Sequence, residues 1–496
     1  MTLMKSILLG SAAGIVAVAS AQAADLPTRK AAPAEYVKIC NVGGMAGFVI
    51  PGSDTCLKIG GYITAHFSAG NIETAYSWAG TAPVGAGGAV IPVPRGTALV
   101  AAPGSLRSDI GFFTRANVSL DTRTNTAYGV LRGYVELQID TGNGFDNNTG
   151  PAGAVGSPYA FGSQSYVNLA YVQWAGITAG KAPSFFSFFG GGEAWDNLYS
   201  PDQQGFNQPL QFAYTATFGG GFSATIAAVS PAPLGASGPG NYANIDTQNF
   251  GERAPDIVGN LRLDQAWGAI QVSGAAHEVH VYETGTTGIA PVVPVGAATS
   301  VGVPSQDIWG WAFNVGGKYN LPSFGAGDFI QAQFTYTKNA MVYSGISVDG
   351  GCGSWTGNGL AMSCADVYYA GLSPGPTGTN TWATPTTWTV GASMEHHFNP
   401  FFSLDPEISY AQLHWSNSLG QLSNNADSWI GGVVGHWDPV PQLDFELDLL
   451  YQATHQSTPG NYAGFITNTA GVTTAGNAFK SNNDGFTGRL QISRSW

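Results

Sequence analysis

Sixteen stretches of alternating apolar and polar residues, joined by connections that are short and long in turn, constrain this chain more than any other feature. They fall near 57–68, 109–121, 126–139, 164–174, 176–182, 210–218, 221–229, 254–264, 267–281, 309–319, 328–338, 386–397, 402–414, 428–438, 442–454 and 485–496. Successive side chains of a strand point to opposite faces, so each stretch reads as a β-strand with one apolar face. Seven connections are tight, among them DTRTN, Ala175-Gly176, Gly219-Gly220 and Asn399-Pro400. The other eight run from about a dozen to nearly fifty residues and are rich in Gly, Pro, Thr, Asn and Ser. Strict alternation of short turns and long loops, with both termini on the short-turn side, is what an up-and-down membrane barrel requires. The stretches also match the roughly 9 to 11 residues with which a tilted strand crosses a bilayer.

The two faces differ as a barrel predicts. Leu131, Gly133, Val135, Leu137 and Ile139 share one face, opposite Arg132, Tyr134, Glu136, Gln138 and Asp140. Leu443, Phe445, Leu447 and Leu449 oppose Asp444, Glu446 and Asp448. Pattern alone does not separate a soluble sandwich, apolar face inward, from a membrane barrel, apolar face outward. The final strand, GRLQISRSW, favours the barrel. A chain terminus this regularly patterned needs neighbours on both edges, and a closed sheet supplies them by pairing the last strand with the first, CLKIGGYITAHF. Trp496 then lies at an interface that favours aromatic rings, while Arg494, on the same face, must snorkel toward head groups.

Composition agrees. Only 10% of residues are charged, against roughly 25% in an average soluble domain, and 69 glycines argue against long helices. Residues 1–23 read as a secretory signal, with Lys5, an apolar run from Ile7 to Ala19 and the cleavage motif Ala21-Gln22-Ala23. Removing them leaves 17 basic against 31 acidic residues, which excludes nucleic acid as an expected partner. Residues 24–56 would form an N-terminal periplasmic segment and 57–496 the barrel. In an exported chain the four cysteines suggest disulfides, and Cys40–Cys56 with Cys352–Cys364 is the simplest of three connectivities.

At EYVKICNVGGMAGFVIPGSDTCLKIGGY (Glu35 to Tyr62), at AYVQWAGITAGKAPSFFSFF (Ala170 to Phe189) and at the aromatic terminus, the sequence resembles the porins of alphaproteobacterial outer membranes. The resemblance implies a sixteen-stranded general diffusion porin, trimeric, with its third loop folded into the channel. Its expected partners are outer-membrane lipids, two further copies of itself, the barrel assembly machinery that reads the terminal Trp496, and small hydrophilic solutes and ions; no cofactor or metal is expected. After IGGY, where the family often carries a basic lumen residue, this chain has Thr64.

A diffusion pore needs a constriction lined with fixed charge. The third long loop, Pro183 to Pro209, is the candidate: Phe185, Phe186, Phe188 and Phe189 would anchor it to the inner wall, Gly190 to Gly192 would let it turn, and Glu193, Asp196 and Asp202 would face the channel. Lys58, Arg115, Arg123, Arg132 and Lys181 would form a basic wall opposite, or else pair with Asp121, Glu136 and Asp140 and serve the barrel alone. The acidic excess points to weak cation preference. No catalytic fingerprint is present, since His277 and His280 lack the H-E-x-x-H spacing, and Glu395-His396-His397 reads as a strand end. The alternatives are a secreted all-β carbohydrate- or ligand-binding protein, soluble without detergent, and a barrel enzyme, for which no nucleophile and base can be placed.

Overall fold

The computed structural model describes residues 38–70, 77–78, 99–100, 110–144, 162–189, 208–230, 248–249, 253–282, 306–346, 368–372, 380–415, 425–456, 464–467, 473–476 and 482–496. Sixteen strands form its wall: β1 (Cys56–Gly70), β2 (Ile110–Thr126), β3 (Gly129–Gly144), β4 (Gly162–Trp174), β5 (Ile177–Lys181), β6 (Leu210–Gly219), β7 (Phe222–Val229) and β8 (Asp256–Gln265), followed by β9 (Gly268–Tyr282), β10 (Gln306–Asn320), β11 (Phe329–Lys338), β12 (Pro385–Asn399), β13 (Phe402–Trp415), β14 (Ala426–Val440), β15 (Leu443–Gln456) and β16 (Asn482–Ser495). Each pairs antiparallel with the next. β16 then pairs with β1, from Thr487 opposite Gly70 to Ser495 opposite Tyr62, and the sheet closes.

The outer face is apolar and open. Leu131, Val135 and Leu137 are 39%, 38% and 49% exposed, far beyond what a water-facing surface of this size tolerates. Leu443 and Phe445 are half-buried on the face that carries exposed Leu447 and Leu449. Aromatic rings gather beside the short turns, including Tyr128, Trp174, Trp267, Phe401 and Trp437, all exposed. Trp309 and Tyr319 stand at the two ends of the outer face of β10. At about 3.4 Å per residue and a tilt near 45° they are roughly 24 Å apart, the height of a hydrocarbon band between aromatic girdles.

The last strand ends as its sequence suggests. The Trp496 backbone N–H donates to the Gly61 carbonyl at 3.1 Å, and its ring lies where a side chain at position 61 would stand. Arg494 turns to the rim and donates to the Gln442 carbonyl at 3.2 Å and side-chain oxygen at 2.9 Å.

An N-terminal hairpin, Ile39–Val42 paired with Met45–Val49, was not expected from the pattern. It adds to the start of β1 through Phe48 opposite Leu57 and Val49 opposite Cys56. The Cys40–Cys56 disulfide ties it there, with Val42, Met45 and Cys56 buried together. Cys352 and Cys364 lie outside the described residues.

Candidate functional site

The barrel interior has two unlike halves, and the packed one follows from where β5 stops. This strand is only five residues long, the shortest in the wall. At Gly180, with φ of +124°, a Cβ would lie 2.2 Å from the Ala170 carbonyl oxygen, so a side chain is excluded where the chain prepares to leave the sheet. Residues 182–189 then fold across the inner faces of β6 to β11. Gln211 Nε2 donates to the carbonyls of Ala182 and Pro183 at 2.9 and 2.7 Å. Asn260 Nδ2 donates to the Phe185 carbonyl at 2.8 Å, Gln271 Nε2 to that of Ser187 at 2.9 Å, and Ser273 Oγ to that of Phe186. Gln333 Oε1 accepts from Phe188 N at 2.6 Å, and Arg262 Nη1 donates to the Phe188 carbonyl at 3.3 Å while its guanidinium sits over the Phe188 ring. Amide side chains thus satisfy the backbone of a segment that has left the ladder, as a buried backbone demands. Phe185, Phe186, Phe188 and Phe189 occupy the anchoring segment that the sequence assigned them.

Phe186 is fully buried, in a cluster with Ala213, Ala227, Val258, Ala275, Val342 and Tyr343. The four wall residues lie on inward-facing positions, where alternation in a water-filled barrel predicts polar side chains. Burying a ring of this size contributes about 1.5–3 kcal/mol, so this half of the lumen is a dry core. Val342 and Tyr343 come from a 3₁₀ turn, Met341–Ser344, at the start of the sixth long connection. Nothing in the sequence reading pointed to that turn.

The other half, from β13 through β16 and on to β4, is charged. Arg115 holds Asp140 in a two-pronged contact at 2.9 and 2.9 Å. Arg123 and Arg132 both donate to Asp121, each at 2.9 Å through Nη2, and Arg123 also reaches the Gly43 carbonyl of the hairpin at 2.7 Å. Lys58 is exposed and stands opposite Asp121 in register. These three cations gather near the short-turn rim, while Arg115 lies further along the wall. Lys181 is in register with Ala170 and Leu210. Leu210 is exposed on the outer face. The Lys181 ammonium donates to the Val167 carbonyl at 2.8 Å and lies 5.9 Å from the ring of Tyr166, whose hydroxyl binds the Asp140 that Arg115 holds. The pairing with Asp121 and Asp140 occurs, whereas Glu136 instead accepts from Asn117, Asn168 and Tyr134.

Next to these strands lies an acidic wall. Asp405, Glu407, Glu446 and Asp448 are buried on the inner faces of β13 and β15. Arg489 Nη2 bridges Glu446 at 2.9 Å and Asp448 at 2.5 Å, and His436 stands between Asp405 at 3.5 Å and Asp444 at 3.0 Å. Alternation had placed Arg489 on the polar face of the last strand, but its partners became legible only with the register between β15 and β16. Glu193, Asp196 and Asp202 lie outside the described residues.

A closed wall with an apolar outer band, aromatic rims and a charged interior narrowed by an inward segment defines a transmembrane channel of the outer-membrane β-barrel class. A family model described as "Porin subfamily" matches residues 25–487, and the chain belongs to that family. It is similar to porin Omp2b of Brucella abortus (strain 2308), 26% identical over 445 residues, 87% of this chain and 98% of that one. Omp2b of Brucella neotomae is likewise 26% identical, over 442 residues, with the same shares covered. Among solved structures, the outer membrane channel DcaP of Acinetobacter baumannii resembles it in fold, with a TM-score of 0.52 at 12% identity over 91% of this chain and all of that one. The protein is an outer-membrane diffusion channel.

Proposed function

We propose that the channel passes small hydrophilic solutes and ions with a weak preference for cations, through a constriction whose acidic side is Glu193, Asp196 and Asp202. The observation that carries this reading is the route of residues 182–189, which lead from the wall into the lumen immediately before those acids. The inner faces of β13 and β15 add buried carboxylates that outnumber their cations Arg489 and His436. Fixed negative charge within a Debye length, about 8 to 10 Å at ordinary salt, concentrates cations. Arg115 is matched by Asp140, whereas Arg123, Arg132 and Lys58 gather on the single carboxylate of Asp121 and temper the preference. A homotrimer, as the family resemblance implies, inserted by the barrel assembly machinery, exported by the signal pattern of residues 1–23 and carrying a second local disulfide at Cys352–Cys364, completes the reading.

Neutralising Glu193→Gln together with Asp196→Asn should shift the reversal potential under a salt gradient toward anions. The shift should shrink at high salt as screening removes the field. No shift at low salt would remove these acids from the constriction.

A further inference from the structure

The dry half of the lumen is built by two inward segments, and one residue joins them to each other and to the wall. After β11 the chain does not rise directly into the long connection. Residues 339–346 turn back into the barrel, with Ala340, Met341, Val342, Tyr343, Ser344 and Ile346 all buried. The wall holds this segment at both ends: Asn339 N donates to the Pro385 carbonyl at 3.0 Å, and Thr389 Oγ1 to the Ser344 carbonyl at 3.0 Å. Between those points the Tyr343 ring meets the Phe186 ring edge-on, at 4.7 Å between centroids. Its hydroxyl donates to Asp256 Oδ2 at 2.6 Å. Asp256, fully buried, also bonds His277 Nδ1 through both oxygens, at 2.8 and 2.9 Å.

The third-loop segment is therefore gripped from two sides. Polar side chains of the wall hold its carbonyls, and Tyr343 covers the ring that faces away from those contacts. We infer that Tyr343 is a positioning residue for the constriction: clamped to Asp256, it holds Phe186, and with it the entry of the third loop, against the packed wall. The passage then has two loop segments as its boundary instead of one, and the sixth long connection takes part in setting its width. Removing the tyrosine ring exposes an edge of Phe186 to water and frees the third-loop segment to move within the lumen. A wider and noisier passage follows. The hydroxyl makes a separate contribution, because an aromatic ring without it still covers Phe186 but no longer ties the turn to Asp256.

The inference rests on the diffusion-channel reading, and the two are tested apart by recording single channels from Tyr343→Ala, Tyr343→Phe and a control on the outer face, Tyr410→Ala. Assembly is scored first, by the heat-modifiable barrel band in gels. Among assembled channels, Tyr343→Ala should show a higher unitary conductance, more transitions between substates and a larger solute cutoff in liposome swelling. Tyr343→Phe should fall between it and the unsubstituted protein, and Tyr410→Ala should match the unsubstituted protein. If Tyr343→Ala does not assemble, the milder Tyr343→Phe carries the test through its substate transitions and solute cutoff. Unaltered conductance, noise and cutoff in every assembled Tyr343 variant would overturn the clamp, and so would an equal change in Tyr410→Ala. If the unsubstituted protein formed no channels, the diffusion reading itself would fail.

Discussion

Gly316 shows how one missing side chain shapes the interior. A Cβ there would sit 2.3 Å from the Cβ of Phe188, so the third-loop segment reaches the wall only because this position carries no side chain. Gly316→Val should cost about 1–3 kcal/mol through overpacking. It should displace Phe188 and change the unitary conductance, whereas Gly317→Ala, on the outer face, should leave conductance alone. Equal conductance in both variants would contradict the packing. The sequence stretch NVGGKYN reveals only that two glycines stand in a strand; which of them receives a ring depends on register and on Phe188, 128 positions earlier. Arg115, Arg123 and Arg132 were legible as inward residues from alternation alone. Lys181 was not, because it shares the parity of Ile177 and pairs in register with Leu210, both exposed on the outer face.

At the scale of elements, the strands and the alternation of connections were open to reading, since both are periodic and local. The N-terminal hairpin was not, because strands of four and five residues carry almost no periodic signal. Nor was the turn at Met341–Ser344, whose apolar partners Ala213, Ala227, Val258 and Ala275 look like faults in an inward polar pattern until the turn is set against them. The longest short-side turn, between β10 and β11, is stabilised by Asp328. Its carboxylate accepts the His397 backbone N–H at 2.9 Å and is further bonded by the His396 and His397 imidazoles. These contacts, the backbone N–H first, hold its carboxyl below the usual carboxylate range. A folded-state pKa that is lowered contributes stability present above the unfolded value, about 3.9, and lost as pH falls through the folded value. Asp328→Asn should therefore lower the barrel's melting temperature at neutral pH, with the difference from the unsubstituted protein closing in strong acid. A difference that persists undiminished there would show that the turn does not depend on the charge.

For the whole molecule, closure of β16 on β1 is the step that removes the last exposed edge. Trp496 anchors that step at the rim, its ring on Gly61 and its N–H on the Gly61 carbonyl. Deleting it should reduce the yield of folded barrel in the outer membrane and leave the conductance of surviving channels unchanged. Altered conductance at normal yield would instead place the ring near the passage.

With the half of the lumen built on β6 to β11 filled by packed side chains, water and solutes should cross along the charged half, beside β1 to β4 and β13 to β16. Single-channel recording in a planar bilayer, during exposure to a charged thiol reagent, tests this most directly. Cysteine introduced for Ser119, on the inner face of β2, should react and step the conductance down, while cysteine introduced for Ala227, inside the packed cluster, should leave it unchanged. A conductance drop at Ala227→Cys with none at Ser119→Cys would put the passage on the wrong side of the barrel and contradict the account.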